Sequence, residues 1–198
     1  MLKSYFKRGV LESGCDEAGR GCLAGPVYAA AVILDPKKKI NGLNDSKKLT
    51  KAKREALRLE IEEKALAWAV GSCTEQEIDE INILNASFKA MHRALDQLQH
   101  KPEHLLIDGN GFHNWQDVPF ETIVQGDGLY NSIAAASVLA KTYRDEFMCN
   151  MAQEYPQFGF ERHKGYATKQ HIQAIKKYGF SPIHRKSFHL KQLQYELF

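Results

Sequence analysis

The stretch Gly14-Cys-Asp-Glu-Ala-Gly-Arg-Gly-Cys-Leu-Ala-Gly-Pro26 places two adjacent carboxylates, Asp16 and Glu17, ahead of a glycine loop that carries Arg20. Residues 12–18 predict a strand, which the glycines after it should end. Carboxylates bind hard cations, whereas bare backbone amides and an arginine bind phosphate. The stretch therefore predicts a strand end that holds a metal ion and a phosphodiester at the same place.

The bulk properties of the chain bound its class. The chain has 198 residues and a net charge of +3, which suits a single domain over residues 1–198 and permits a polyanionic partner without requiring one. It has no apolar run long enough to span a bilayer and no secretion signal at its start. Four scattered cysteines without a Cys-x-x-Cys pair indicate free thiols in a reducing cytosol. We expect a cytoplasmic monomer without a membrane partner.

Periodicity and turn signals predict strands and helices along the whole chain. The predicted strands cover residues 12–18, 26–34, 65–73, 103–108 and 120–124. The predicted helices cover residues 51–64, capped by Thr50, and 82–99, 131–151 and 168–178. The small residues at 134–137 should let the third helix lie close against the sheet. Strands that come mainly first, with helices later, favour an α/β fold in layers.

Two further carboxylates, Asp108 and Asp127, follow predicted strands and precede glycines. An isolated carboxylate in a turn is ordinarily a turn former, but strand ends of one sheet can bring such groups to a shared cleft. Four carboxylates together repel one another unless cations neutralise them, and oxygen donors suit magnesium or manganese. Two such ions, about 3.5–4 Å apart, can activate water and stabilise a leaving oxygen.

The acidic pair poses a geometric problem. Neighbouring residues of a strand point to opposite faces. Asp16 and Glu17 can both serve a metal only if the strand breaks there or if one of them uses its backbone carbonyl. We expect the Ala-Gly-Arg-Gly segment that follows to supply the break.

Three basic segments are candidates for nucleic-acid contacts. Residues 44–49 precede a helix, so Ser46 and Lys47 suit a phosphate contact, although a solvated helix entry has the same pattern. Residues 162–166 interleave cations with Tyr166, which suits a backbone clamp and a stacking ring, or a polar surface turn. Residues 184–188 have the same character and the same ambiguity.

The glycine loop has a second interpretation. Residues 19–24 match the Gly-x-Gly-x-x-Gly/Ala fingerprint of dinucleotide-binding proteins. A helix should then begin within the loop, whereas a proline and a strand-like run follow, so the match is weak. The chain contains no Gly-x-Ser-x-Gly elbow, P-loop or His-Glu-x-x-His motif, which disfavours a serine hydrolase, an NTPase and a zinc protease.

Taken in order, the motifs resemble those of bacterial ribonuclease HII, the type 2 ribonuclease H family. The matching segments lie at residues 14–21, 43–49, 106–110, 126–127, 132–141, 144–145, 163–166 and 185–188. The resemblance implies an RNase H-like fold, with a mixed five-stranded sheet flanked by helices and a small helical C-terminal part from about residue 155 to 198. It also implies cleavage of the RNA strand in RNA–DNA hybrids, and cleavage 5′ of single ribonucleotides in duplex DNA.

The resemblance also implies roles for individual residues. Asp16, Glu17, Asp108 and Asp127 match the catalytic carboxylates that hold two Mg²⁺ or Mn²⁺ ions. The loop that reads the ribose 2′-hydroxyl corresponds to Gly19, Arg20 and Gly21, and the aromatic at the RNA–DNA junction to Tyr166. Further expected substrate contacts are Ser46, Lys47, Lys164 and Arg185.

Two positions depart from the family pattern. Cys22 stands where the family usually has proline, and Gln125 where it usually has lysine. We expect Cys22 to loosen the loop, since proline fixes φ, and Gln125 to alter the affinity for phosphate. The alternative to an enzyme is a non-catalytic nucleic-acid-binding module with the same fold.

Overall fold

The computed structural model describes residues 2–188, so residues 189–198 of the expected helical C-terminal part lie outside the described residues. Its strands form one five-stranded sheet in the order β3-β2-β1-β4-β5. They are β1 Glu12–Ala18, β2 Val27–Ile33, β3 Ala67–Cys73, β4 His104–Asp108 and β5 Phe120–Ile123. β1 is antiparallel to β2 and parallel to β4, so the sheet is mixed, as predicted.

The helices are α1 Lys51–Lys64, α2 Glu75–Asp96, α3 Asn131–Glu154, α4 Phe160–His163 and α5 Lys169–Tyr178. The predicted bounds of α1 are confirmed, and the Thr50 side chain accepts a hydrogen bond from the Lys53 amide as its N-cap. None of the helices within residues 2–188 combines the length and the hydropathy that a membrane crossing takes.

Helix α2 begins seven residues earlier than predicted. Thr74 and Glu77 form a reciprocal capping box that starts it, a pattern that stabilises helix N-termini. At Asn82 the backbone is left-handed (φ 66°), and its side chain accepts from the amides of Leu84 and Asn85. The predicted start near residue 82 therefore corresponds to a kink, where the second half of the helix is capped anew.

The sheet lies between two helical layers. Residues of α2 such as Ala90 and Met91 pack with Cys15 and Ala29 on one face. Residues of α1 and α3 pack with Ala30 and Val32 on the other face. Since successive residues of a strand alternate between faces, Cys15 points toward α2 and Asp16 toward α3.

Gly14 lets α3 approach the sheet closely. A Cβ atom at Gly14 would lie 2.2 Å from the backbone carbon of Ser132, far inside van der Waals contact. The first turns of α3 are correspondingly buried, with residues 132–140 all inaccessible. This packing holds α3 directly against the part of β1 that carries Asp16.

The C-terminal part is attached to the glycine loop. A turn at Pro156–Phe158, helix α4 and helix α5 share a small core with Leu23 and Ala24. Backbone hydrogen bonds of 2.8 Å join the Gly25 amide to the Ile183 carbonyl and the Arg185 amide to the Leu23 carbonyl. The segment after the two carboxylates is thus fixed by residues from the other end of the chain.

Candidate active site

Strand β1 does not break at its carboxylates. Asp16 pairs with Ala30 and Glu17 with Ala29 in the antiparallel register with β2, so the two side chains lie on opposite faces. The strand ends at Ala18, inside the segment where a break was expected, but too late to bring both carboxylates to one face. The pairing of β1 with β4 runs only to Cys15 opposite Ile107. Beyond this point β1 runs on to Ala18 whereas β4 ends at Asp108, so Asp16, Glu17 and Asp108 lie at the same end of the sheet.

Asp16 is buried on the α3 face, with 5% of its surface exposed. One carboxylate oxygen accepts from the Glu17 amide at 2.7 Å, and Ser137 of α3 also bonds to the carboxylate. Burial and the charges of Glu17 and Asp108 nevertheless raise the pKa of Asp16 well above its ordinary value. Its anion is thus held in place but lacks a compensating cation among the described residues.

Glu17 lies on the other face of β1 and turns toward Arg20, whose Nη1 is 3.2 Å from the carboxylate. Burial raises the pKa of Glu17, Arg20 lowers it, and Asp108 raises it again. The charge of Asp108 therefore raises the pKa values of both Asp16 and Glu17. Sequence neighbours on opposite faces of β1 thus share one charged neighbour at the end of β4.

Asp108 connects the end of β4 to the turn that carries Asp127. Its Oδ1 accepts from the Gly126 amide at 2.7 Å. The pKa of Asp127 is raised to about 6 by burial and by the charges of Asp108 and Asp45. The four predicted carboxylates thus form one electrostatically coupled group at the carboxyl end of β1 and β4.

A cleft of about 420 Å³ opens at this group. Asp45, Lys47, Asp108, Gln125 and Asp127 line it. Lys47 therefore lies where the sequence predicts a phosphate contact, and Gln125 lies beside the carboxylates, as expected. Gln125 also has left-handed backbone (φ 58°), a strained conformation of the kind that clusters at functional sites.

The carboxylate group fits a hard divalent cation in its chemistry. All donors are oxygens, and the pKa values of Asp16, Glu17 and Asp127 are raised by burial and by the neighbouring negative charges, an unfavourable environment that a cation would relieve. Within residues 2–188, no three His, Cys, Asp or Glu side chains already stand at ligand spacing. Ligation therefore requires side-chain rotation, of Glu17 away from Arg20 in particular.

Two buried arginines brace the glycine loop. Arg185 donates to the carbonyls of Gly25, Arg20 and Gly19 at 2.9, 2.9 and 2.8 Å. Arg144 donates to the carbonyls of Pro26 and Ala24 at 3.0 and 3.1 Å. Gly19 has φ +98°, and a Cβ there would lie 2.0 Å from the Arg144 Nε. The loop conformation thus depends on glycine at 19 and on both guanidinium groups.

Two of the residues that were expected to contact the substrate, Arg185 and Ser46, are buried. Arg185 is 1% exposed and binds loop carbonyls, and Ser46 is 3% exposed with its hydroxyl 2.9 Å from that of Ser137. Because a buried group cannot meet a phosphate in solution, both residues support the site from below. A basic or hydroxyl side chain in a sequence does not show whether the fold will bury it.

Tyr166 and Lys164 lie beside the braced loop. The Tyr166 ring is 41% exposed, and its backbone forms an isolated β-bridge with Cys22. The thiol of Cys22 bonds to the Tyr166 hydroxyl and, after burial, is a further cause of the raised pKa of that tyrosine. The Lys164 carbonyl accepts from the Arg144 Nη1 at 3.0 Å. Cys22 is fully buried, so it forms part of the support of the ring.

Sequence reasoning missed two supporting residues, Ser137 and Arg144. Both lie on α3. In the sequence, Ser137 belongs to the small-residue face of this helix, and Arg144 is one charged residue further along it. The buried serine opposite Asp16 follows from the close approach of α3 to β1. Arg144 is 0% exposed, and only its lack of a carboxylate three or four residues before it hints at a non-local partner.

The dinucleotide interpretation of residues 19–24 is wrong. The loop leads into strand β2 through Pro26, whereas the fingerprint needs a helix N-terminus there. Arg144 and Arg185 also occupy the loop carbonyls on its inner side.

Comparisons with known proteins identify the family to which the chain belongs. The family model for ribonuclease HII matches residues 13–191. A ribonuclease HII of Phocaeicola vulgatus is 60% identical over 190 residues, which is 96% of this chain and 94% of that protein. The ribonuclease H2 of Pyrococcus horikoshii OT3 superposes with a TM-score of 0.72 at 28% identity, over 90% of this chain and 93% of that one.

A more distant structure shares the fold alone. Bst-RNase HIII in complex with Mn²⁺ has a TM-score of 0.64 at 18% identity, over 86% of this chain and 63% of that one. The family model and the close relative cover nearly the whole described chain, including β1, β4 and the loop braced by Arg185. The chain therefore belongs to the ribonuclease HII family of endoribonucleases, which act on RNA–DNA hybrids.

Proposed function

We propose that this enzyme cleaves, with divalent metal ions, both the RNA strand of hybrids and the 5′ side of single ribonucleotides embedded in duplex DNA. The observation that carries the proposal is the meeting of two features at one end of β1. The coupled carboxylates stand there, and the braced Gly19–Arg20–Gly21 loop begins two residues later. A cleavage site and a selecting surface thus lie within one nucleotide's reach of each other.

The carboxylates Asp16, Glu17, Asp108 and Asp127 would hold Mg²⁺ or Mn²⁺, two ions in the catalytic state. Bound there, such ions supply an activated water and stabilise the leaving oxygen of the phosphodiester. Ser137 and the Glu17 amide keep Asp16 oriented, and the Gly126 amide does the same for Asp108. These bonds would hold the two central carboxylates in place, whereas Glu17 would have to leave its Arg20 contact in order to ligate an ion.

Selection of a ribonucleotide is assigned to the glycine loop. A 2′-hydroxyl is what distinguishes RNA from DNA at a single position. Gly21 is exposed, and a Cβ there would meet nothing within 4 Å, so its backbone is open to a sugar. Because Arg185 and Arg144 fix the loop carbonyls from beneath, the exposed backbone groups are preorganised.

The remaining substrate contacts surround this loop. Lys47 in the cleft meets phosphate, and Tyr166 packs its exposed ring at the RNA–DNA junction. Lys141 stands 5.7 Å from the centre of the Tyr166 ring and adds positive charge there. Lys164 contributes a cation on the same side. The products carry 5′-phosphate and 3′-hydroxyl ends, and we expect a monomer that works in the cytoplasm on such nucleic acids.

The decisive experiment uses a DNA duplex that contains one ribonucleotide. The protein is incubated with it, with and without MgCl₂ or MnCl₂, and the cut is mapped on a sequencing gel. We expect a metal-dependent cut on the 5′ side of the ribonucleotide. Asp16→Asn should abolish cleavage while hybrid binding survives. Turnover like that of the wild type in Asp16→Asn with magnesium present would overturn the proposal.

A second variant separates selection from folding. Gly21→Ala adds a methyl group in open space, so the fold should keep its stability. The same methyl group would stand between the loop and the ribose, and cleavage at the lone ribonucleotide should fall sharply. Gly111→Ala is the matched control, because a Cβ there makes only an ordinary 3.5 Å contact with Phe88. Equal activity of the two variants would remove the loop from substrate selection.

A further inference from the structure

Three buried histidines form a cluster outside the carboxylate site. His163, His171 and His184 are 8%, 0% and 1% exposed. The rings of His163 and His171 stack with their centres 4.5 Å apart, and the Nε2 atoms of His171 and His184 are 3.0 Å apart. Three buried imidazoles are costly unless their nitrogens are hydrogen-bonded. The direction of each hydrogen bond shows which nitrogen carries the proton.

The donors around the cluster fix where each proton sits. The Ser181 amide donates to the His184 Nδ1 at 2.8 Å, so His184 carries its proton on Nε2. That proton points at the His171 Nε2, which therefore accepts. The proton of His171 is left on Nδ1, which donates to the Tyr166 carbonyl at 3.0 Å. Burial lowers the pKa values of His171 and His184 to about 4, so this neutral chain is the state at neutral pH.

His163 also bonds to the backbone next to Tyr166. It accepts from the Gly165 amide at Nδ1 over 3.2 Å and bonds through Nε2 to the Phe158 carbonyl at 2.9 Å. The backbone on either side of the Gly165–Tyr166 peptide bond is thus bonded to an imidazole. The arrangement does not suit a metal, because the Nε2 of His184, which would have to ligate, carries a proton.

The chain of bonds ends at the residue whose ring faces the substrate. The Tyr166 ring is half-exposed, whereas its amide and carbonyl are held by His163 and His171. Cys22 meets the Tyr166 hydroxyl from the loop side. The Tyr166 carbonyl also accepts from the Thr168 amide at 2.8 Å, within its own turn. Apolar side chains would fill the volume of the imidazoles, but they would remove the donor that ties this carbonyl to α5.

We propose that His171 and His184 are positioning residues for Tyr166, and that they set the preference for single ribonucleotides over long hybrids. This inference rests on the proposed junction role of Tyr166. A lone ribonucleotide offers one junction, so cutting it depends on the exact placement of the ring. A long hybrid offers many registers, so a displaced ring costs less there.

The test compares two variants of nearly equal shape. His171→Leu removes the side-chain donor to the Tyr166 carbonyl, whereas His171→Asn keeps an N–H near the position of Nδ1. We expect His171→Leu to lower kcat/KM on the lone-ribonucleotide duplex about fivefold, which is about 1 kcal/mol. Cleavage of a long hybrid should change less than about twofold, and His171→Asn should recover most of the loss. Binding of the lone-ribonucleotide duplex, measured in the Asp16→Asn background, should weaken in parallel.

Two further arms keep the outcome decisive. In a Tyr166→Ala background, His171→Leu should change the ratio of the two activities no further, and thermal unfolding of each variant reports stability separately. Equal losses on both substrates, or an unrescued His171→Asn that folds normally, would overturn the inference. A wild-type protein that fails to cut the lone ribonucleotide would instead overturn the proposed function.

Discussion

The guanidinium of Arg185 donates from Nη2 to the carbonyl of Gly19 over 2.8 Å, across 166 residues of sequence. Two more bonds from the same group hold Arg20 and Gly25. Within residues 2–188 neither Arg185 nor Arg144 forms an ion pair with a carboxylate. The glycine loop therefore rests on two buried positive charges, which suits a surface that receives a phosphodiester.

Arg185→Met should destabilise the protein by about 3 kcal/mol, since three loop carbonyls lose a charged donor. Cleavage of the lone ribonucleotide should fall as well, because the loop loses its fixed backbone. Urea unfolding measures the first effect and a gel assay the second. Lys186→Met, at an exposed neighbouring side chain, is the control that should leave both unchanged. An Arg185→Met protein as stable as the control would contradict the bracing role.

Gly14→Ala should destabilise the protein by about 2–3 kcal/mol, because the added methyl group meets the backbone of α3 and forces the helix away from β1. The same shift separates Ser137 from Asp16, so cleavage of any hybrid should also fall. Gly128→Ala, where a Cβ meets nothing within 4 Å, should cost little stability. If the two variants unfold at the same urea concentration, α3 does not need the close approach.

Ser137→Ala should reduce cleavage of a long hybrid about fivefold, since Asp16 loses one hydrogen-bond donor, a loss of about 1 kcal/mol. Ser46→Ala serves as the matched variant: its hydroxyl bonds to Ser137 and is one step further from the carboxylate, so its effect should be smaller. Initial rates at saturating MgCl₂ make the comparison. The reverse order of effects would place Ser46, not Ser137, next to the chemistry.

The histidine cluster should make the protein sensitive to acid. His171 and His184 have pKa values of about 4 in the folded protein against an ordinary 6.5, so the unfolded chain binds more protons between these values. Stability from their burial is complete above about pH 6.5 and is lost as pH falls toward 4, by about 3 kcal/mol for one histidine. His163 stacks on His171 and shares this behaviour in sign.

The comparison for this prediction is between the wild type and His171→Asn. Asp127, with its raised pKa of about 6, contributes in the opposite direction in both proteins and cancels in the difference. Urea unfolding at pH 7.5 and at pH 5 should show a smaller loss of stability for His171→Asn. Parallel pH dependence in the two proteins would mean that the His171–His184 pair does not titrate on unfolding.

Local signals predicted the sheet and most of the helices because they are properties of neighbouring residues. The alternation and the glycines around Asp16 located β1, and Thr50 located the start of α1. The first half of α2 was missed because the capping box at Thr74 was overlooked, although the sequence displays it. The expectation that both carboxylates need a strand break to share a site overlooked how far β1 runs past its pairing with β4, because this length is a property of the whole sheet.

The candidate site likewise has residues that local sequence signals predict and residues that depend on tertiary packing. Its candidate carboxylates were predicted from residues next to glycine at strand ends, and two of them, Asp108 and Asp127, line one cleft. The residues that support the site could not be identified in this way. Arg185 and Ser46 are polar residues, and their burial depends on elements far away in sequence. Histidines 163, 171 and 184 show no spacing that predicts their bonds, which arise only when α4, α5 and residues 181–185 pack together.

The bond between Arg185 and Gly19 also sets an order of events during synthesis. The ribosome makes Gly19 early, and 166 further residues must follow before its partner Arg185 exists. Until then the nascent chain carries all four carboxylates without the support that shapes the loop beside them. The braced conformation of the loop is therefore acquired only after nearly the whole polypeptide has been made.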